Sequence, residues 1–276
     1  MKTKIAALLM IFLIPSSICF AQWSKISDLT TARSSGQSLG NAEYLLEGIA
    51  LRQDLEAFFA DPDAVKKFLC RWITSLPHSY IQLPCFIHER PESVLSFSLP
   101  QLIRVYLILD ALKNGTLVSQ IGTIIENYQE GDYFEPGGLG LIRSGQIYLE
   151  LRPSEPTEPI PKTEGAFIIS QKDLQIPHIF LFHLHPLGKS GPAPGPSIDI
   201  EMTDGQEAKI GSDVGTAIAR ANHYGEYHHL LISKLGNKTF NIDYYAAEAV
   251  PESGDSFTLC HKLEKFKIVD LGNWRY

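Results

Sequence analysis

An apolar run that ends in two histidines places the strongest constraint on how this chain folds. Residues 179–186 read IFLFHLHP, which predicts a β-strand ending at His183 and His185, with Pro186 directly after it. Side chains at positions i and i+2 of a strand point to the same face, so the two imidazoles are expected to lie side by side. Pro186 cannot donate a ladder hydrogen bond and turns the chain into a loop. The pair either begins a metal site or consists of half-buried polar residues at a strand end.

The first 21 residues have the three parts of a secretory signal. Lys2 and Lys4 carry positive charge, residues 5–14 form an apolar core, and Ala21 ends a cleavage site of small residues. This apolar core is too short to span a membrane as an anchor. We therefore expect a secreted or periplasmic protein without a membrane anchor.

The net charge argues against a nucleic-acid partner. The chain contains 24 basic and 31 acidic residues, which gives a net charge of −7. The predicted signal holds two of the lysines and no acidic residue, so the remaining chain has 22 basic and 31 acidic residues, a net charge of −9. Binding to nucleic acid relies on clustered Lys and Arg. We expect an acidic protein surface and no nucleic-acid partner.

The sequence pattern changes near residue 128 and predicts two regions. Between residues 42 and 127 apolar residues recur at the spacing of amphipathic helices, which predicts a mainly helical N-terminal region over 22–128. From residue 129 to 276, short apolar runs separated by Gly and Pro, with one helix near 213–224, predict an α/β or α+β domain. The predicted strands are 138–142, 147–151, 166–170, 179–183, 229–233 and 239–245.

Two carboxylates stand in distinctive positions beside this histidine motif. In FEPGGLGLI, Glu135 opens a glycine-rich strand, where the glycines indicate a closely approached backbone that a surface glutamate would not need. In GSDVGTAIARANHYG, Asp213 stands at the start of a predicted helix. A zinc hydrolase needs about three protein ligands, an open position for water, and a base that takes the proton of that water. These carboxylates and the two histidines supply such a set.

The order of these motifs resembles the JAMM metallopeptidases, whose domain is also called MPN or JAB. Glu135 and Gly138 match the Glu-x-x-Gly strand of that family, and residues 183–186 match its His-x-His-Pro motif. Asp213 matches the aspartate that opens the next helix. The resemblance covers residues 133–245 and implies a mixed sheet flanked by helices.

The resemblance also implies a function and a role for each residue. In the family a zinc ion is held by two histidines and an aspartate, which correspond here to His183, His185 and Asp213. Glu135 corresponds to the general base that carries the proton of the zinc-bound water to the leaving amine. The expected activity is zinc-dependent hydrolysis of an amide, peptide or isopeptide bond in a protein or peptide substrate.

The chain departs from the family pattern between the histidines and the aspartate. His185 and Asp213 lie 28 positions apart, much farther than is usual in the family. Asp204-Gly205 stands between two alternating runs, which predicts an added hairpin in this segment. Asp199 lies nearer to the histidines and is a rival third ligand. We favour Asp213, because the helix and strand after it follow the family order.

A second departure concerns a serine. In the family, a serine three residues before the aspartate helps to hold the reacting carbonyl oxygen. Ser197 and Ser212 each lie near a candidate aspartate, but neither has the Ser-x-x-Asp spacing. Two alternatives to a peptidase therefore stay open. One is a non-catalytic exported protein that keeps the fold and contacts a partner through its helical N-terminal region. The other is a zinc hydrolase of another substrate class, such as a cell-wall amidase.

The other seven histidines are interpreted as structural. His228 and His229 are adjacent on a predicted strand, so their side chains should point to opposite faces and form a poor chelate. His223 lies near a helix C-terminus, where the helix dipole favours it. The remaining four have no partner at ligand spacing and are His78, His88, His178 and His261.

Overall fold

The structure is a computed structural model of the chain. It describes residues 45, 53–79, 90–128, 135–153, 167, 169–185, 195–202, 208–236, 238–249 and 263–276. The predicted secretory signal lies outside these ranges, so export stays a prediction. Among the described residues, no helix combines the length and the apolar character needed to cross a membrane.

Helices dominate the described residues before position 129. They are α1 (Gln53–Phe59), α2 (Pro62–Thr74), a 3-10 helix (Pro91–Ser96), α3 (Leu99–Lys113) and α4 (Thr116–Asn127). The side chain of Asp61 caps α2 by accepting hydrogen bonds from two backbone N–H groups at 3.1 Å. Asn114 ends α3, and Gly115 follows with a φ of 82°, a conformation that favours glycine. The mainly helical character predicted here is confirmed within these residues.

A mixed β-sheet forms the centre of the molecule. The strands and the later helices are β1 (Gly137–Arg143), β2 (Gln146–Arg152), α5 (Gln171–Leu174), β3 (Phe180–His185), β4 (Asp199–Met202), β5 (Ala208–Gly211), α6 (Ser212–Tyr224), β6 (Glu226–Gly236), β7 (Thr239–Glu248) and β8 (Phe266–Arg275). Six strands pair in the order β2-β1-β3-β6-β7-β8. β3 and β6 are parallel, and the other neighbours are antiparallel. A six-stranded mixed sheet with helices agrees with the predicted α+β class.

Both faces of the sheet are covered by helices. Alternate residues of each strand point to opposite faces, and all six residues of β3 are buried. One face packs in a single apolar core with residues of α2, α3 and α4. The opposite face packs against the apolar side of α6, through residues such as Val214 and Ala217. The helical region before residue 129 and the sheet therefore share a hydrophobic core, while the division of the chain near residue 128 stays a prediction.

A buried arginine joins α3 to the segment that leads into β3. Arg104 is fully buried, and its Nε donates a hydrogen bond to the carbonyl oxygen of Ile179 at 2.6 Å. A second guanidinium nitrogen donates to the carbonyl oxygen of Pro100 at 3.1 Å. Because a buried charge is costly without hydrogen bonds, these contacts fix the position of α3 relative to the first residues of β3.

Two details of the strand prediction are wrong. Within the predicted strand 166–170, the described residues are not in a strand, and the Ser170 side chain instead accepts a hydrogen bond from the N–H of Asp173 to cap α5. The strand β8 was not predicted, although it pairs with β7 over most of its length.

Substitution of Gly138 should test how closely β1 and β2 approach. A Cβ added at Gly138 would collide with the backbone carbonyl oxygen of Glu150, and a backbone atom of a paired strand cannot move without distorting the ladder. We expect Gly138→Ala to lower the free energy of unfolding by about 1–3 kcal/mol, the usual cost of overpacking an interior. Urea denaturation measures this change. An unchanged midpoint would contradict the close approach of the two strands.

Candidate metal centre

The two histidines of β3 lie side by side on the face of the sheet that α6 covers. Their ring centroids are 4.8 Å apart, as the two-residue period of a strand requires. His183 and His185 are both buried. The Nε2 atom of His183 makes no hydrogen bond with any described residue. A buried imidazole nitrogen without a hydrogen bond is a group that a metal ion would satisfy.

Glu135 reaches the histidines because of the register between β1 and β3. Gly137 pairs with His183 in this antiparallel ladder, so Glu135, two residues earlier, falls opposite His185. The N–H of Leu184 donates to the carbonyl oxygen of Pro136 at 2.8 Å and continues the pairing in this direction. One carboxylate oxygen of Glu135, Oε2, lies 3.7 Å from Nε2 of His183, and the other, Oε1, lies 3.9 Å from Nε2 of His185.

Gly137 of β1 makes room for an aromatic ring that lines the site. A Cβ at Gly137 would come within 2.6 Å of the Phe167 ring. That ring stacks against the imidazole of His183, with centroids 6.1 Å apart and planes 20° apart. The sequence indicated a closely approached backbone next to Glu135, and this prediction is confirmed at Gly137 and Gly138.

Asp213 reaches the same space from the first turn of α6. Its Oδ1 lies 3.4 Å from Nε2 of His183, and its Oδ2 lies 3.3 Å from Nε2 of His185. The backbone N–H and the hydroxyl of Ser197 donate to Oδ2 at 2.8 and 2.7 Å. A carboxylate is also stabilised near a helix N-terminus by the helix dipole. The aspartate is therefore held in position independently of the histidines.

The segment between Ser197 and Asp213 contains the predicted hairpin. β4 and β5 pair antiparallel from Asp199↔Gly211 to Met202↔Ala208, so the hairpin is confirmed, although its turn lies outside the described residues. Ser197 therefore hydrogen-bonds to Asp213 although the two residues are 16 positions apart, and not three as in the Ser-x-x-Asp motif. For the rival ligand Asp199, the structure describes the backbone in β4 and not the side chain.

Burial acts to lower the pKa of both imidazoles, and the charge of Asp213 acts to raise it. Burial lowers the pKa of His183 to about 4, although the charge of Asp213 acts in the other direction. Burial also disfavours a charged His185, but a hydrogen bond and the charge of Asp213 outweigh burial and raise the pKa of His185. His183 is therefore a neutral imidazole near pH 7, as a metal ligand must be.

The two carboxylates have pKa values shifted in opposite directions. Burial raises the pKa of Glu135 to about 7, although the charge of His185 lowers it. Burial acts on Asp213 in the same way, but His183 and His185 hold the pKa of Asp213 well below its ordinary range. Asp213 is thus ionised, whereas Glu135 can gain or lose a proton near neutral pH.

Three of these residues could hold a metal ion. One ligand atom from each of Glu135, His183 and His185 can be chosen so that all three lie within 4.8 Å of one another. Asp213 contacts both histidines but does not belong to this compact set. All four residues expected from the sequence therefore lie together. The sequence prediction assigned Asp213 as the third ligand and Glu135 as the base, whereas the compact set includes Glu135.

The site lies in a cavity of about 240 Å³. Residues that the sequence did not single out line part of it, and they are Phe167, Thr216, Arg220, Tyr227 and Tyr245. His229, interpreted above as structural, also lines the cavity, and its Nε2 lies 2.6 Å from Nδ1 of His183. His228 points to the other face, where its Nδ1 lies 2.8 Å from the hydroxyl of Tyr244. The prediction that His228 and His229 point to opposite faces is confirmed. His229, however, lies on the face that carries the site residues.

Comparisons with protein-family models, curated proteins and solved structures found no match to this chain. The resemblance between the four site residues and the JAMM motif therefore stays a prediction. The functional argument depends on the geometry and protonation of the site.

The raised pKa of Glu135 predicts a pH-dependent stability in the metal-free protein. Between its ordinary pKa of 4.5 and the folded value of about 7, the folded protein keeps a proton that the unfolded chain releases. The contribution of Glu135 to stability therefore falls as the pH rises through this window, by roughly 3 kcal/mol at most. Glu135→Gln lacks this titration.

The stability difference between the wild-type protein and Glu135→Gln measures this effect. Denaturant unfolding at several pH values from 4.5 to 7.5 should show the wild-type protein losing stability relative to the variant. Glu126→Gln is a matched control, because Glu126 is an exposed residue of α4, and it should show no such trend. A difference between wild type and Glu135→Gln that does not vary with pH would contradict the prediction.

Proposed function

We propose that this chain is an exported zinc-dependent hydrolase of the JAMM type that cleaves an amide, peptide or isopeptide bond in a protein or peptide. The proposal depends on one observation above all. Side chains from three separate elements, namely the residues before β1, the strand β3 and the first turn of α6, meet at one cavity. They supply two imidazoles and two carboxylates of opposite pKa shift, the groups that such a hydrolase requires.

Asp213 is the better third ligand of the two carboxylates. A carboxylate ligand must be deprotonated, and the pKa of Asp213 lies well below its ordinary range. Two hydrogen bonds from Ser197 also fix the position of Asp213. Glu135, by contrast, has a pKa near 7 and is only partly deprotonated at neutral pH. His183, His185 and Asp213 would hold the zinc ion, and Glu135 would be left to exchange protons.

Glu135 fits the role of general base. Bound Zn²⁺ supplies Lewis acidity and lowers the pKa of its water to about 7. A carboxylate with a pKa near the working pH takes a proton from water readily and returns it to the nitrogen of the leaving amine. The oxygens of Glu135 lie within 4 Å of both Nε2 atoms, so the carboxylate faces the space between the histidines.

The size of the cavity limits what enters it. A volume of about 240 Å³ is below the range of roughly 300–1,000 Å³ that holds a drug-sized ligand. Such a cavity accommodates an amide bond and its immediate neighbours rather than a folded domain. A cell-wall amidase would use the same residues, and peptidoglycan fragments in the substrate panel distinguish that alternative from a protein or peptide substrate.

A second candidate function follows from the compact set of Glu135, His183 and His185. If Glu135 is a ligand, the site has two histidines and one carboxylate, a set that also binds Fe²⁺. Such a site would leave Asp213 as the remaining carboxylate, and its pKa well below the ordinary range makes it a poor base for hydrolysis. This would fit a non-catalytic exported binding protein that keeps the fold. Its partner surface would then be sought on the helical N-terminal region. Elemental analysis of the bound metal is the first measurement that distinguishes these candidates.

Two aspartate variants should identify the third ligand. Asp213→Asn should weaken zinc binding by more than about 100-fold, which exceeds the 10–100-fold loss typical of a residue that only hydrogen-bonds a ligand. Asp199→Asn should bind zinc almost as the wild-type protein does. Zinc affinity is measured by competition with a chelating dye, and the double variant His183→Ala, His185→Ala gives the baseline without a site. The reverse order of the two aspartate variants would assign the third ligand to Asp199.

Substitution of Glu135 tests the mechanism. Glu135→Gln keeps the size of the side chain but cannot accept a proton, so zinc content should stay near one per chain. Hydrolysis of a substrate selected from a peptide library with the zinc-loaded wild-type protein should fall by about 10²–10⁴-fold. Glu126→Gln, on the exposed side of α4, should keep full activity. Loss of zinc from Glu135→Gln would make Glu135 a ligand, and retained hydrolysis would assign the proton transfer to another group.

A further inference from the structure

A chain of hydrogen bonds leads from the candidate metal centre into the sheet. The Nδ1 atom of His183 lies 2.6 Å from Nε2 of His229, and Nδ1 of His229 lies 2.8 Å from the hydroxyl oxygen of Tyr227. All three residues are buried. His183 thus has one nitrogen facing the cavity and the other fixed by a second imidazole.

The position of His229 results from the parallel pairing of β3 and β6. His229 pairs with Leu181 and lies on the same face of the sheet as His183. Tyr245 on β7 stacks against the His229 ring, with centroids 4.9 Å apart and planes 15° apart. Tyr227 packs against the same imidazole at 5.7 Å. Two aromatic side chains thus contact the imidazole and restrict its rotation.

The hydrogen bonds of this chain can run in only two directions, since each neutral imidazole has one N–H and one lone pair. If His183 donates from Nδ1 to His229, then His229 donates from Nδ1 to Tyr227, and Nε2 of His183 keeps a lone pair toward the cavity. In the opposite direction, Nε2 of His183 carries a hydrogen and cannot bind a metal ion. A metal at Nε2 therefore requires the first direction.

We infer that His229 is a positioning residue of the metal centre. Its Nε2 accepts the Nδ1–H of His183, which selects the tautomer of His183 and fixes the plane of its ring. Tyr227 in turn accepts from His229 and fixes the second imidazole. This inference is based on the proposed metal site and adds to it, because His229 acts through its hydrogen bond to His183 rather than as a metal ligand. In most metal sites a carboxylate, a carbonyl or water fills this role.

The adjacent residue provides a matched control. His228 is also a buried histidine of β6, but it points to the opposite face and contacts Tyr244 and Glu226. A substitution at either position removes an imidazole from the same strand. Only the substitution at His229 removes an acceptor of the His183 hydrogen bond.

Two variants of His229 separate hydrogen bonding from packing. His229→Gln places an amide oxygen near the former Nε2 and can still accept, whereas His229→Leu cannot. We expect His229→Leu to weaken zinc and cobalt binding by about 10–100-fold, the usual cost of losing the partner of a ligating histidine. His229→Gln should recover most of the affinity, and His228→Gln should bind as wild type does. The visible spectrum of the cobalt-loaded protein should change in His229→Leu and stay unchanged in His228→Gln.

The thermal stability of each metal-free variant shows that it is folded before affinity is compared. If His229→Leu does not fold, Tyr227→Phe takes its place, because it removes the acceptor of His229 and should weaken binding about fivefold. Wild-type affinity in the folded His229→Leu variant, or in Tyr227→Phe when it is used, would overturn the inference and leave the proposed function standing. So would an equal loss in His229→Gln and His229→Leu. A wild-type protein that binds no zinc or cobalt would overturn both.

Discussion

Backbone pairing along both edges of β3 sets the distances between the site residues. The antiparallel neighbour β1 brings Glu135 opposite His185, and the parallel neighbour β6 brings His229 beside His183. β3 is buried on both faces, so a slip of one residue would turn both histidines into the apolar core. Packing of the helices on both faces thus favours one register of β3 with its neighbours. That register places the site residues within reach of one another.

Local patterns in the sequence predicted the parts of this site that one segment determines. The strand period aligned His183 and His185, and the spacing of apolar residues indicated the helices before residue 128. The role of His229 could not be predicted, because it depends on a pairing between β3 and β6 over 46 positions of the chain. Alternation correctly separated His228 from His229, but the sequence does not tell which face of a strand meets another strand's histidine. The strand predicted at 166–170 is wrong for its described residues, because an apolar run does not by itself show that a partner strand lies beside it.

Two carboxylates in one small space would repel each other if both were ionised. The structure resolves this conflict by giving them different surroundings. His183 and His185 favour the charged form of Asp213, and the hydrogen bonds from Ser197 and the helix N-terminus add to their effect. Glu135 lies 3.7 and 3.9 Å from the Nε2 atoms of the two histidines, and burial is the largest influence on its pKa. Divergent environments of this kind are how a protein assigns different tasks to chemically similar groups.

The β4–β5 hairpin begins and ends at one point of the molecule, where Ser197 contacts Asp213. The number of residues between the histidines and Asp213 therefore does not determine how far apart their side chains lie. Lengthening a loop whose ends are already joined costs little conformational entropy. This segment can accordingly vary in length and sequence during evolution while the ligand geometry is preserved. Substitutions and insertions in the hairpin can thus change the surface near the cavity without changing the residues of the candidate metal centre.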